Sequence, residues 1–304
     1  MDDKTRFFDR LRPRLQGIAY RMLGSTAEAE EVVQDAWLRW HETAQAALDS
    51  GEAWLVTVTT RLAIDRLRAA KVQRAHYAGL WLPEPMLTGE SPPSPEQMLE
   101  RADDLSVAFL TLLERLAPEA RAAFLLREVF DVDYGELAHT LGKSEAACRQ
   151  MVHRAKAQLA DARPRPAVPR ETQQRLLRGF AEAVGQGDFA ALQSMLAEDA
   201  ELVGDGGGKV TSFPKPLLGG RRIAQLFYAS HRRFGDGQRV VLAEINGQWG
   251  LLRFIHGALE SAQSYQWERG ADGKDGAQGE RIVRILVQRN PDKLARLAAA
   301  ARGV

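Results

Sequence analysis

Apolar residues recur at helical spacing through the first half of the chain and alternate with polar ones only towards its end. From Phe7 to Arg74 the pattern is helical throughout. One segment, Arg6 to Leu23, is stopped by Gly24-Ser25. Thr26 caps a second, which runs through Ala29-Glu30-Glu31-Val32-Val33-Gln34-Asp35-Ala36-Trp37-Leu38-Arg39-Trp40. A third begins near Glu52. Its Val56 to Thr60 run is rich in β-branched residues that suit a strand, but the spacing of Leu62, Ala63 and Leu67 predicts helix. Residues 79–97 carry Pro83, Pro85, Pro92, Pro93 and Pro95 and read as a linker. Helices resume at Pro95 or Glu96 and continue to about Ala162.

Within that second helical block, Tyr134 to Lys156 reads as two helices joined by a tight turn, a helix-turn-helix. Leu137 and Leu141 lie one turn apart with Ala138 between them, giving the first helix a small apolar face. Gly142 ends it, because glycine takes the left-handed conformation cheaply. Ser144 caps the next helix and Glu145 suits its dipole. There Cys148, Val152, Ala155 and Leu159 point inward, which leaves a polar outer face. DNA is therefore the first partner to consider. Ser144, Glu145, Ala146, Arg149 and Gln150 are candidate base readers, and His153, Arg154 and Lys156 are candidate phosphate contacts. The alternative is an ordinary helical hairpin with a solvated face.

Arg163-Pro164-Arg165-Pro166-Ala167-Val168-Pro169 is a second, semi-rigid linker. Beyond it two helices, Glu171 to Gln186 and Phe189 to Ala197, precede Glu201-Leu202-Val203, a glycine loop, and a helix from about Arg221 to Phe234. Strand patterns follow at Arg239 to Asn246, Gln248 to Ile255, Glu260 to Glu268 and Arg281 to Arg289, with Asn246-Gly247 as a hairpin turn. Helices followed by a meander predict an α+β domain with a curved antiparallel sheet.

Composition refines this picture. At 304 residues, 45% hydrophobic and 27% charged, the chain has the make-up of a soluble protein of several domains. Neither a membrane span nor a signal peptide is evident, so a cytoplasmic location is expected. The single cysteine, Cys148, excludes intramolecular disulfides and cysteine-based zinc sites, and no metal or cofactor is expected. Residues 1–163 carry 21 Lys plus Arg against 25 Asp plus Glu, a net of −4. Yet Arg61, Arg66, Arg68, Lys71 and Arg74 cluster, broken only by Asp65. A basic stripe on an acidic body fits DNA contact in one place and a protein partner elsewhere.

The acidic helix Ala29 to Trp40, the Ala53-Trp54-Leu55 to Arg68 helix and Leu116-Ala117-Pro118-Glu119-Ala120-Arg121 before the helix-turn-helix occur here in order. With them, residues 6–160 resemble a sigma-70-family initiation factor of the extracytoplasmic-function type. The second half resembles a SnoaL-like domain. Trp81-Leu82-Pro83-Glu84-Pro85, Asp205-Gly206-Gly207-Gly208-Lys209 and Asn290-Pro291-Asp292-Lys293-Leu294 look like marks of the subgroup that carries this domain as an extension. The fold class implied is multidomain: two all-α sigma domains and an α+β SnoaL-like cone. The boundaries are 1–78 for region 2, 79–97 for a linker, 98–162 for region 4, 163–169 for the proline-rich linker, and 170–304 for the C-terminal domain.

The resemblance also implies partners and site residues. Core RNA polymerase would be met by Glu31, Gln34, Asp35, Trp37 and Leu38. The minus-10 element of promoter DNA would be read by Trp54, Thr57, Thr60, Arg61, Asp65, Arg68 and Lys71, with the helix-turn-helix on the minus-35 element. Regulation would come in cis from the C-terminal domain, held through the three motif strings, with no separate anti-sigma factor required. An unidentified small-molecule ligand of that domain is left open as a partner. Catalysis is not expected: Asp199, Glu201, Asp205, His231, Glu244, His256 and Tyr265 have acid-base chemistry but no spacing that marks a dyad. The alternative reading is a DNA-binding regulator or enzyme whose SnoaL-like pocket senses or converts a small apolar molecule.

Overall fold

The computed structural model describes residues 2–44, 48–74, 77–87, 105–160, 168–269 and 279–301. They fall into two compact units. Residues 2–44, 48–74 and 109–160 form the first; residues 77–87, 105–108, 168–269 and 279–301 form the second. The expected restart of helix near Pro95 and the linker residues beyond Leu87 lie outside the described residues.

The first unit is all helical. Its elements are α1 (Asp3–Leu23), α2 (Thr26–Glu42), α3 (Gly51–Arg74), most of α4 (Val107–Leu113), α5 (Pro118–Glu128), α6 (Tyr134–Leu141) and α7 (Glu145–Ala160). Gly24 takes a left-handed φ of 66° and closes α1, as the sequence predicts. Ser25, rather than Thr26, caps α2 by accepting from the Glu28 N–H. Leu15, Ile18, Ala29, Val33, Leu55 and Leu125 fill the interior. Two buried arginines cross it. Arg121 donates to the Met22 carbonyl at 2.6 Å and pairs with Glu114 at 2.8 Å. Arg21 lies over the Phe130 ring, 5.2 Å from its centre. Each places a charge inside only where carbonyl, carboxylate or ring electrons face it.

The second unit holds α8 (Arg170–Gln186), α9 (Phe189–Met195), β1 (Leu196–Asp205), β2 (Leu217–Leu218), α10 (Gly220–Phe234), β3 (Gln238–Ile245), β4 (Gln248–Ile255), β5 (Ala258–Arg269), β6 (Glu280–Gln288) and α11 (Pro291–Ala300). The six-stranded sheet has the order β2-β1-β6-β5-β4-β3. Three features depart from the sequence expectation. The sheet is mixed and not wholly antiparallel, because β1 runs parallel to β6, with Leu202 opposite Ile285. β1 also starts at Leu196, where a helix is predicted to continue. The tail after Asn290 is a helix, with Asn290 as its cap and Pro291 in its first turn.

Both sheet faces are covered. On one, α8, α9 and α10 bury Leu177, Phe180, Ile223 and Phe227 against Leu251, Tyr265 and Ile285. On the other, Leu294 and Leu297 of α11 pack with Leu82 and Val107 against Ile245, Leu252 and Leu286. The predicted linker therefore contributes core to this unit.

Candidate nucleic-acid interface and linker node

The helix-turn-helix forms as predicted. Gly142 is left-handed at φ 63° and Ser144 Oγ accepts from the Ala147 N–H at 3.2 Å. Cys148, Val152, Ala155 and Leu159 are buried. Ser144, Glu145, Ala146, Arg149, Gln150, His153 and Arg154 are all exposed, the arrangement a groove-reading helix needs. Arg149 is oriented by Glu145 at 2.7 Å and by the Tyr134 ring. Lys156 differs from the expectation: it is half-buried and pairs with Glu128 at 2.6 Å, so it is not a free phosphate contact.

The α3 residues depart further. Thr57 and Thr60 are buried, so in this arrangement neither faces solvent or a base. Thr57 Oγ1 lies 2.8 Å from Thr140 Oγ1 on α6. Arg61 donates to the carbonyls of Thr140 at 2.9 Å and His139 at 2.8 Å. These carbonyls belong to the C-terminal end of α6, where the helix dipole favours a cation. Arg68 bonds Glu119 and Asp65, and its hydrogen bond holds the Glu119 carboxyl below its ordinary pKa. Trp54 is half-buried against Trp40, ring centres 5.7 Å apart. Lys71 lies on α3, but its side chain is outside the described atoms.

On α2, Glu31 and Gln34 are exposed, and Leu38 is 54% exposed although large and apolar. Arg66 bonds Glu31 at 2.5 Å and Asp35 at 3.4 Å. Trp37 packs on Phe8, ring centres 4.9 Å apart. The same helix thus buries Val32, Val33 and Ala36 on one side and leaves Leu38 bare on another.

In the second unit the three motif strings converge on Asp205, which is fully buried. Its carboxylate accepts from the Tyr77 hydroxyl at 2.7 Å, the Leu82 N–H at 2.9 Å, the Gly207 N–H at 2.9 Å, Gln288 Nε2 at 3.2 Å and Lys293 Nζ at 2.7 Å. Lys293 also donates to the Leu82 carbonyl and sits 4.2 Å from the centre of the Trp81 ring. Pro83, Glu84 and Pro85 are buried beside Leu82. Asn290 Nδ2 donates to Tyr77, and Lys209 pairs with Asp292 at 2.5 Å.

Glycine is required in the loop. Gly207 and Gly208 are left-handed at φ 61° and 71°, and a Cβ on Gly206 would strike the Val210 carbonyl. Tyr77, Gln288 and Asn246 belong to this node and escape sequence reading. Asn246 exchanges backbone and side-chain bonds with Met86, yet on sequence it is only a turn residue.

The acid-base candidates are dispersed. Asp199 and His256 are exposed, Glu201 pairs with Arg284, Glu244 with Arg170, and Tyr265 donates to Gln263 at 2.6 Å. None of them, nor His231, lines the described cavity of this unit.

A polar-faced helix-turn-helix, an acidic helix with a bare leucine and a linker built into an α+β domain fit a sigma factor with a C-terminal extension. The sigma-70 region 2 family matches residues 7–72 and the sigma-70 region 4 family residues 106–159. The chain is 34% identical to the ECF RNA polymerase sigma factor SigJ of Mycobacterium tuberculosis, over 94% of this chain and 91% of that one. It is 28% identical to the probable ECF RNA polymerase sigma factor SigI of the same organism, over 96% and 95%. The crystal structure of M. tuberculosis SigJ aligns with a TM-score of 0.69 at 29% identity, covering 96% of this chain and 98% of that one. The chain belongs to the extracytoplasmic-function RNA polymerase sigma factor family. No helix among the described residues is long and apolar enough to cross a membrane.

Proposed function

We propose that this sigma factor brings core RNA polymerase to promoters through Leu38 and its polar neighbours on α2, with α7 reading the minus-35 element and α3 the minus-10 element. The C-terminal domain regulates it in cis, without a separate anti-sigma factor, and is not an enzyme. The observation that supports this regulation is the burial of Asp205 with five donors, two of them, Tyr77 and Leu82, from the segment joining the sigma regions. A domain that grips the connecting chain limits how far the two regions can separate.

In vitro transcription with core polymerase tests the reading, comparing the full chain, a chain ending at Pro169, and full-length Asp205→Ala, which keeps every domain. Both changes should alter promoter-specific transcript yield. Equal yields from all three would exclude regulation in cis. Specific promoter binding that needs no polymerase would instead favour a DNA-binding regulator.

A further inference from the structure

The second unit holds a partly open cavity of about 560 Å³, in the size range of small-molecule sites. Its walls are mostly apolar, formed by Leu202, Leu226, Phe227, Phe234, Ile255 and Val287. Polar lining groups gather around Arg253, and most of these are already engaged. Gln263 donates to Ser261 and accepts from Tyr265. Arg289 bonds Glu260 Oε1 at 2.5 Å and also the Thr211 carbonyl. Two buried atoms are left without a hydrogen-bond partner: Arg253 Nε, a donor, and Glu260 Oε2, an acceptor. The nearest approach between these side chains is 3.7 Å, from Arg253 Nη1 to Glu260 Oε2, too long for a hydrogen bond.

Unpartnered buried polar atoms are costly, and a pair of opposite kind at one end of an apolar cavity describes the ligand that would satisfy them. Glu260 is shared, Arg289 bonding its Oε1 and Arg253 facing its Oε2 at 3.7 Å, so two cations meet one carboxylate and one positive charge remains over; exposed Arg233, also in the lining, adds a second. Burial also pulls the Arg253 pKa down, as expected for a cation whose lost hydration is not fully replaced.

We propose that this cavity binds an amphipathic hydroxy acid, its carboxylate on Arg253, its hydroxyl donating to Glu260 Oε2 and its chain along the apolar walls. The claim concerns binding and stands apart from the regulatory reading, because it is tested without transcription.

Calorimetric titration of the full chain with 3-hydroxydecanoate, decanoate and 1,3-decanediol is the test. The hydroxy acid should bind in a 1:1 ratio, and the diol, lacking the charge, at least about tenfold more weakly. Decanoate, lacking the hydroxyl, should fall between them. Arg253→Met should weaken the hydroxy acid by a similar factor while Arg253→Lys retains part of it, and Leu226→Trp should block all three by filling the space. Arg289 still compensates Glu260 in Arg253→Met, and unchanged near-ultraviolet circular dichroism verifies its fold; Leu226→Trp supplies an independent check. The proposal fails if the diol binds as well as the hydroxy acid, if decanoate matches the hydroxy acid, if Arg253→Met binds normally, or if no probe binds up to its solubility limit.

Discussion

The hydroxyls of Thr57 and Thr140 meet at 2.8 Å in a buried contact between α3 and α6, beside the two carbonyl bonds made by Arg61. In this arrangement Thr57 and Thr60 are covered, so the proposed minus-10 reading by these two threonines needs α3 and α6 to part, whereas Arg61 is exposed but has its guanidinium engaged. Cysteines at positions 57 and 140 would place their sulfurs near the ~2.05 Å length of a disulfide bond. The one native cysteine, Cys148, is buried and has no cysteine to pair with. The oxidised Thr57→Cys, Thr140→Cys chain should therefore lose promoter-specific transcription, and dithiothreitol should restore it. Full activity of the oxidised chain, with cross-linking confirmed by mass spectrometry, would show that separation is unnecessary.

Asp205 and Lys293 form a buried ion pair, with side chains 0% and 14% exposed. Removing one member leaves the other uncompensated, so Asp205→Ala should destabilise the second unit by about 3–5 kcal/mol. Asp205→Asn, which preserves shape and some acceptors, should cost less. Changing Lys293→Met as well should recover part of the loss, because no orphan charge remains. Urea denaturation of the parent, Asp205→Ala, Lys293→Met and the double variant gives the coupling directly, and purely additive effects would contradict a linked pair.

Much of this organisation is legible in sequence because it rests on short-range rules. Gly24, Gly142 and Ser144 punctuate helices through their own backbone and side-chain chemistry, and Cys148 to Leu159 report their buried face by spacing alone. The motif strings stand out because glycine and proline interrupt the periodicity. What escapes depends on residues far apart. The parallel pairing of β1 with β6 joins positions some eighty residues from one another, as in Leu202 with Ile285. Thr57 is a polar residue on a basic helix until Thr140 covers it. The helix α11 is the exception: Asn290-Pro291-Asp292 carries the cap and first-turn proline of a helix start, a local signal hidden by reading the string only as a motif.

Leu38 is a large apolar side chain left 54% exposed on α2. An exposed leucine is ordinary in itself, but on the face of α2 proposed to meet polymerase it supplies an apolar anchor. Leu38→Glu should change unfolding free energy by no more than about 0.5 kcal/mol. Binding to core polymerase, followed by fluorescence anisotropy of labelled protein, should weaken by about tenfold or more, as for loss of an interface anchor. Intact binding would place the polymerase contact elsewhere.

The exposed residues of α7 should divide by role. Arg149→Ala or Gln150→Ala near the helix start should relax base preference at individual minus-35 positions, at about 1–3 kcal/mol for each lost base contact. Arg154→Ala should weaken all sequences alike and reduce the salt dependence of binding by about one ion. Lys156→Ala should have little effect on DNA because Glu128 already holds it. Competition binding of polymerase holoenzyme to a library of minus-35 variants separates these outcomes, and uniform effects from all four changes would refute the division.

Tyr77 gives the linker node a signature at high pH. Burial, and then its hydrogen bond to Asp205, raises the phenol pKa well above its ordinary 10.0. The folded chain therefore keeps this proton where the unfolded chain releases it. The resulting stability is complete below about pH 10 and is lost as pH rises beyond it. The slope is at most about 1.4 kcal/mol per pH unit, and smaller because solvent reaches part of the ring. Buried Tyr265 is shifted in the same direction and adds its own loss. In Tyr77→Phe the alkaline decline should consequently be shallower but not absent, while the chain is less stable than the parent at neutral pH for want of the bond to Asp205. Urea unfolding at about pH 8 and about pH 11 measures both effects. Parallel declines in the two chains would mean that Tyr77 ionises alike in the folded and unfolded states.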